Sequence, residues 1–407
     1  MPPSEIQNMI ENIKKLWFRA LYRILSGFAF NRIVVTGSIS QWRGATLYVG
    51  LHRNGAIDGA VYQRAAPRAK MTLSSQLRRK AWMRAIFDGI EIVRPQDAAQ
   101  DGARVSNADS FAQASRYLVE GGELVFFPEG TSELGPRHLR FRTGVARLVQ
   151  QALEHLPELK VVPLAAHYED ATAWQSNVDI RVGQALYLRG ALSTAEIMTA
   201  LSSALEEVGL DCDTLEERQT VESLAYAATL GNQDIPYSKA LKALAHNPFG
   251  ERLKALCVTG RQFFHQGVPL APVGTVWPYY AALMVLLPLQ ILMGALNVAP
   301  YLAMEALVER LSDGPNVRSL WRALTGIMLL AIWGGLIVSP LLVFVDWRLV
   351  PLYWLGCVLQ VKTLYRTKKL LITVANHLVG FSTSRLGDRR ALMHLHQELT
   401  TYVRNKL

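Results

Sequence analysis

The chain has 407 residues, half of them hydrophobic and only 19% charged, with a formal net charge of +10. That length suits two or three domains, and the basic balance points to acidic partners. The sequence shows neither a nucleic-acid motif nor the aromatic–glycine pattern of a base-stacking sheet, so phospholipid is a simpler partner than nucleic acid.

The apolar excess is uneven. Residues 1–270 mix charge and apolar character normally, whereas 275–365 are strongly apolar, the profile of a membrane-associated protein with a soluble catalytic part. Three cysteines, Cys212, Cys257 and Cys357, lie far apart with no CxxC, which argues against a disulfide framework or a thiolate metal site. His394 and His396 lack partner ligands nearby and read as helix histidines. No ligand cluster suggests a metal.

At the N-terminus, Ile6, Ile10, Ile13, Trp17, Leu21, Ile24 and Phe28 recur at helical spacing, with Lys14, Lys15, Arg19 and Arg23 between them. Residues 1–29 form a basic amphipathic helix, suited either to an anionic membrane interface or to packing on its own domain. No small-residue cleavage site follows, so it is not read as a removable signal.

From 30 to 210, strand patterns at Arg32–Thr36, Thr46–Gly50, Ala69–Leu73, Ile90–Val93, Glu123–Phe127, Val161–Tyr168 and Val178–Leu188 alternate with helical ones. The helices fall at Asp58–Arg64, Leu77–Phe87, Asn107–Glu120, Thr143–Leu156 and Thr194–Val208. This alternation predicts an α/β domain with a mixed, mostly buried sheet. Residues 211–274 read as a polar helical connector.

Residues 275–370 read as membrane hairpins. Val276–Val308, broken by Pro278, Pro288 and Pro300, is either one span plus a tail or a bent hairpin. Leu324–Val345 has the length of a full span. The turn Asp346-Trp347-Arg348 follows, and Leu349–Tyr365 returns. Arg318, Arg322, Lys362, Arg366, Lys368 and Lys369 flank the open ends of that hairpin, which places those ends and the catalytic domain on the cytoplasmic face. Residues 371–407 form a polar helical tail.

Four short stretches carry the chemistry. LHRNGAIDGAV (Leu51–Val61) packs a histidine, an arginine, an asparagine and an aspartate around two glycines, straight after an apolar strand. It is either a surface turn that caps a helix or a general base with its orienting acid. His52 and Asp58 stand six residues apart, which on a helix would leave them 240° apart. The histidine must therefore sit in a turn, with the aspartate near the next helix start and Gly55 permitting the bend. GIEIVR (Gly89–Arg94) ends an apolar strand in a charge, which either serves a site or merely reaches solvent at the strand's end. FFPEGTS (Phe126–Ser132) marks a strand end, either a common PEG turn with Glu129 solvated or a place where open α/β sheets hold ligands. Arg137, Arg140, Arg142 and Arg147 follow it near a helix start, a setting for phosphate or for a solvated basic face. VVPLAAHYED (Val161–Asp170) is a buried-strand pattern.

In this order the four blocks resemble the glycerolipid acyltransferase superfamily, which includes glycerol-3-phosphate and lysophosphatidate acyltransferases. The resemblance covers about residues 30–210. Most members place four residues between histidine and aspartate. This chain has five and resembles the HxNxxxD subset, with Ser132 where many members carry arginine and with Arg142-Thr143-Gly144 matching a KTG or RTG triplet.

The resemblance implies direct attack of an alcohol on an acyl thioester, with His52 as base and Asp58 fixing its tautomer. Arg94, Glu129, Gly130 and Thr131 are the matching acceptor positions, joined by Asn54 and Arg142 from the subset pattern. Arg53 is a further phosphate contact by charge, and a backbone N–H at Gly130 or Thr131 is a candidate oxyanion donor. The donor would be acyl-CoA or acyl-carrier protein, the acceptor glycerol 3-phosphate or a lysophospholipid, and no cofactor is implied. Two alternatives stand beside this: transfer to another lyso-lipid, and a non-catalytic membrane-binding protein on the same scaffold.

Overall fold

A computed structural model describes residues 3–38, 44–78, 81–92, 107–232, 234–245, 249–258, 262–382 and 386–407. Arg94 and the end of the predicted Ile90–Val93 strand lie outside them. The chain divides into two compact units. One comprises residues 1–26, 33–166 and 180–210; the other comprises 27–32, 167–179 and 211–407.

Up to residue 210 the elements run α1 (Pro3–Ala29), β1 (Phe30–Thr36), β2 (Thr46–Gly50), α2 (Ile57–Tyr62), β3 (Lys70–Ser74), α3 (Ala81–Ile86), β4 (Gly89–Ile92), α4 (Asn107–Val119) and β5 (Glu123–Phe126). They continue with α5 (Gly144–Leu153), β6 (Leu159–Tyr168), β7 (Ser176–Val182), β8 (Leu186–Leu188) and α6 (Thr194–Val208). The strand order is β1-β7-β6-β2-β5-β3-β4, with β8 antiparallel on β6. From β6 through β2, β5 and β3 to β4 the pairing is parallel, and β8 makes the sheet mixed. Every residue of β2, β5 and β6 is buried, as a parallel sheet covered on both faces requires.

Leu47, Val49, Leu124, Phe126 and Val161 from the strands meet Phe111, Leu118, Leu148, Val149, Leu201 and Leu205 from α4, α5 and α6 in one core. Ser193 and Glu196 form a reciprocal capping box at the start of α6. The strand expected over Val178–Leu188 is two strands, because β7 ends at Val182 and Gly183 packs against Pro163 with no room for a side chain.

Helix α1 shows two apolar faces. Phe18, Tyr22 and Leu25 are buried, and Trp17 Nε1 and Tyr22 Oη donate to the carbonyls of Ala85 and Asp88. Ile10, Ile13, Trp17 and Ile24, from the stripe singled out in the sequence, are each more than half exposed.

The second unit contains α7 (Leu215–Thr229), α8 (Tyr237–Leu244), α9 (Phe249–Val258), β9 (Phe264–His265), β10 (Val268–Pro269), α10 (Trp277–Leu296), α11 (Val298–Leu311), α12 (Arg318–Trp333), α13 (Ser339–Val345), α14 (Leu349–Ser382) and α15 (Leu386–Arg404). The region 211–274, expected to be helical, also holds the hairpin β9–β10. Helix α10 pairs with α14, and α11 with α12. A π-helical turn over Gly334–Val338 joins α12 to α13. Trp277–Leu296 and Pro315–Val345 are long and apolar enough to cross a membrane, and only 6% of each apolar window is buried. Helix α14 runs unbroken past residue 370.

Replacing Leu124, fully buried in the sheet core, by alanine removes about 2–5 kcal/mol of stability. Thermal unfolding of the purified protein in detergent checks this, and an unchanged midpoint contradicts the packing described.

Candidate active site

Strand β2 delivers the chain to Leu51, and three backbone features turn it. Leu51 N donates to Leu164 O at 3.0 Å, Gly55 adopts φ +58°, and Asp58 N donates to Gly55 O at 3.0 Å. Gly55 supplies a left-handed conformation that a side chain would strain. Helix α2 starts at once, with Asp58 in its first turn and wholly buried.

Asp58 Oδ2 accepts three N–H groups: His52 Nδ1 at 2.9 Å, Arg53 N at 2.8 Å and Asn54 N at 2.8 Å. With Nδ1 donating, the neutral imidazole keeps its lone pair on Nε2. The histidine side chain is 16% exposed, and Nε2 has no hydrogen-bond partner among the described residues. The ring stacks on Phe127, with centroids 4.3 Å apart. Behind it, Tyr62 Oη donates to Leu51 O at 2.7 Å and accepts from Ala166 N at 2.9 Å, fixing the turn to β6. The sequence contains Phe127 and Tyr62 in plain view. Neither carries a charge, and their roles emerge only from packing.

The loop after β5 is tied to this turn. Glu129 is buried; one carboxylate oxygen accepts the backbone N–H of His52 and the other accepts Leu139 N at 2.7 Å. Arg53, also buried, donates to Gly135 O at 2.6 Å and Arg137 O at 3.2 Å. Glu129 and Arg53, both acceptor candidates by sequence, thus each make hydrogen bonds to loop backbone. The physical reason is that a tight turn leaves backbone N–H and C=O groups without helix or sheet partners, and buried ones must be satisfied.

Gly130 sits at φ +70°, where a side chain would be strained. An added Cβ would also lie 3.1 Å from Arg142 Nε. The exposed Arg142 therefore lies directly against the Gly130 backbone, and its own N–H donates to Pro128 O at 2.8 Å. Gly130 N donates to Phe127 O at 3.1 Å, so that N–H is already committed. Thr131 beside it is exposed. Asn54 is fully buried, with its backbone on Asp58. Thus His52, Arg53, Asn54, Asp58, Glu129, Gly130, Thr131 and Arg142 come together, and Arg94 falls outside the described residues. Among the described residues no group of three or more His, Cys, Asp or Glu side chains is placed to hold a metal ion.

Burial raises the Glu129 carboxyl above the usual glutamate range, partly opposed by the His52 and Leu139 N–H groups. With the folded value raised, stability from this group is fullest below the unfolded value and falls as pH climbs through the folded one. The buried anion is a cost that the fold bears for its two hydrogen bonds. Glu129→Gln removes that cost but offers one acceptor oxygen to two N–H groups, leaving one unsatisfied at about 1–3 kcal/mol. Turnover is expected to drop at least tenfold while the melting midpoint moves little, and its loss of stability on raising pH from 4 to 7 becomes shallower than in the parent. Parallel pH-stability and activity curves check both.

Residues 32–167 match the family model described as Acyltransferase. No curated protein matches the chain. Among solved structures, it is similar to the 1-acyl-sn-glycerophosphate (LPA) acyltransferase PlsC from Thermotoga maritima, at 16% identity and a TM-score of 0.38, over 48% of this chain and 80% of that one. The family match spans the histidine turn, the parallel sheet and the FFPEGTS loop, about a third of the chain.

Proposed function

We propose that the protein transfers a fatty acyl group from an acyl thioester to a hydroxyl of glycerol 3-phosphate or a lysophospholipid. The observation that carries this is the 2.9 Å bond from His52 Nδ1 to a wholly buried Asp58, which commits Nδ1 and leaves Nε2 to serve as the base.

In this reaction the acceptor hydroxyl attacks the thioester carbonyl while its proton passes to His52 Nε2. Asp58 stabilises the imidazolium that forms. The tetrahedral intermediate collapses, the C–S bond breaks, and the proton returns to the departing thiolate. No acyl-enzyme or cofactor takes part. The Gly130 N–H is bound to Phe127 O, so the Thr131 N–H is the remaining candidate of the pair for the oxyanion. Arg142 on the tethered loop, with Arg137 and Arg140 nearby in sequence, supports recognition of the acceptor phosphate. Arg94 belongs with them by its motif position.

The donor is acyl-CoA or acyl-carrier protein, both of which suit a basic protein. Location at a membrane is part of the same proposal. The two apolar, largely uncovered segments of the second unit have the length for crossing. The exposed stripe of α1, with Lys14, Lys15, Arg19 and Arg23 on the same helix, suits an anionic interface. The basic residues flanking the hairpin favour the cytoplasmic face for the catalytic domain.

His52→Ala is expected to abolish transfer with folding and membrane extraction unchanged, and Asp58→Asn to lower turnover by roughly 10²–10⁴. Incubation of purified protein with labelled acyl-CoA or acyl-carrier protein and a panel of acceptors, read by lipid mass spectrometry, tests the assignment. Full activity of His52→Ala removes the base role. Label on a different lyso-lipid class alone moves the acceptor assignment, and no transfer to any acceptor favours a binding protein on this scaffold.

A further inference from the structure

Away from the histidine turn, the second unit buries a second polar cluster. It is assembled from five separate stretches of chain. Glu169 and Asp170 follow β6, Tyr226 lies on α7, Tyr237 starts α8, His265 is on β9, and Tyr365 and Lys369 are on α14.

A two-residue hairpin turn builds it. Gln266 and Gly267 take φ +51° and +69°, a pairing that matches strand twist. Gly267 has no room for a side chain, since a Cβ would meet Ser223 Oγ on α7 at 2.3 Å. Gln266 Nε2 donates to Asp170 Oδ2 at 2.7 Å. The hairpin is thereby clamped so that the His265 ring lies 5.4 Å from the Tyr226 ring and 5.0 Å from the Tyr365 ring. Lys369 Nζ sits over both tyrosine faces, at 4.8 and 4.6 Å, and is paired with Glu169 at 3.2 Å.

Tyr226, His265 and Tyr365 are 1–3% exposed, and Tyr237 is 7% exposed. Yet the hydroxyls of all three tyrosines and both ring nitrogens of His265 have no hydrogen-bond partner among the described residues. Buried polar atoms in folded proteins nearly always have a hydrogen-bond partner, either protein or ordered water. Some hydrogen-bonding guest must serve them.

Charge defines that guest. Lys369 is already neutralised by Glu169, which disfavours an anion. Asp170 faces His265 together with Lys368, so no net charge favours a cation either. Burial, reinforced by those two lysines, depresses His265 to about 3, so it is neutral and offers one donor and one acceptor. Rings at 5.0–5.4 Å are in contact, so any guest among them must be very small.

We propose that Tyr226, Tyr237, His265 and Tyr365 hold a cluster of ordered water molecules at the polar centre of the C-terminal unit. Each water would bridge groups from different elements, joining the hairpin, α7, α8 and α14 through shared hydrogen bonds.

The sign of a conservative substitution tests this. If the hydroxyls are bare, Tyr226→Phe and Tyr365→Phe remove an unsatisfied group and leave stability equal or higher. If they hold water, each loses a bond. In full-length protein in detergent, each single variant is expected to melt roughly 2–4 °C lower. The double variant should fall by less than the sum, because the first loss already loosens the shared water. Unchanged or raised melting in either single variant, or additive losses, overturns the proposal. Independently, mass spectrometry of the extract from denatured protein should find no bound organic molecule. A stoichiometric one replaces the water reading with a ligand site.

Discussion

One carboxylate oxygen organises the catalytic turn. Asp58 Oδ2 gathers the His52 ring nitrogen and two successive backbone N–H groups, so the same atom that orients the imidazole also folds the loop that carries it. The three donors compensate burial of the charge, and burial in turn strengthens each bond. Position and tautomer of His52 are therefore not independent properties. A chain that lost the aspartate would lose both.

The surrounding charges obey the same economy of placement. Glu129 and Arg53 are both buried beside the turn, and each satisfies loop backbone. They hold the segment from Pro128 to Arg142 against the histidine. Arg142 is exposed and lies against Gly130, and Arg137 and Arg140 of the same segment are exposed as well. Buried charges shape this site, and an exposed one is offered to the acceptor in the proposed reaction.

The C-terminal unit solves a different problem. Its long apolar helices leave most of their surface uncovered, yet they are linked by polar contacts where they meet. Tyr353 Oη donates to Asn297 Oδ1 at 2.7 Å, Trp333 Nε1 to Leu296 O at 2.9 Å and Gln290 Nε2 to Thr363 Oγ1 at 2.9 Å. Where apolar burial gives little preference for one helix pairing over another, as in lipid, such hydrogen bonds and close packing set the pairing. Asn297, between α10 and α11, is where the prolonged apolar stretch from Val276 to Val308 divides.

Periodicity and turn chemistry in the sequence by themselves determined most of the α/β elements. Thr46–Gly50 and Thr194–Val208 fall where the patterns put them, because buried strands and capped helices leave local signatures. The need for a turn between His52 and Asp58 was equally legible, since their spacing is incompatible with one helix face. The histidine's partners beyond Asp58 were decided only by tertiary structure: Phe127 stacks on it, Tyr62 braces the turn, and Glu129 meets its backbone. The backbone partners of Arg53 and Glu129 were decided in the same way. A sequence shows that a charge exists, but whether it faces solvent or satisfies a buried peptide group depends on which distant segments fold against it.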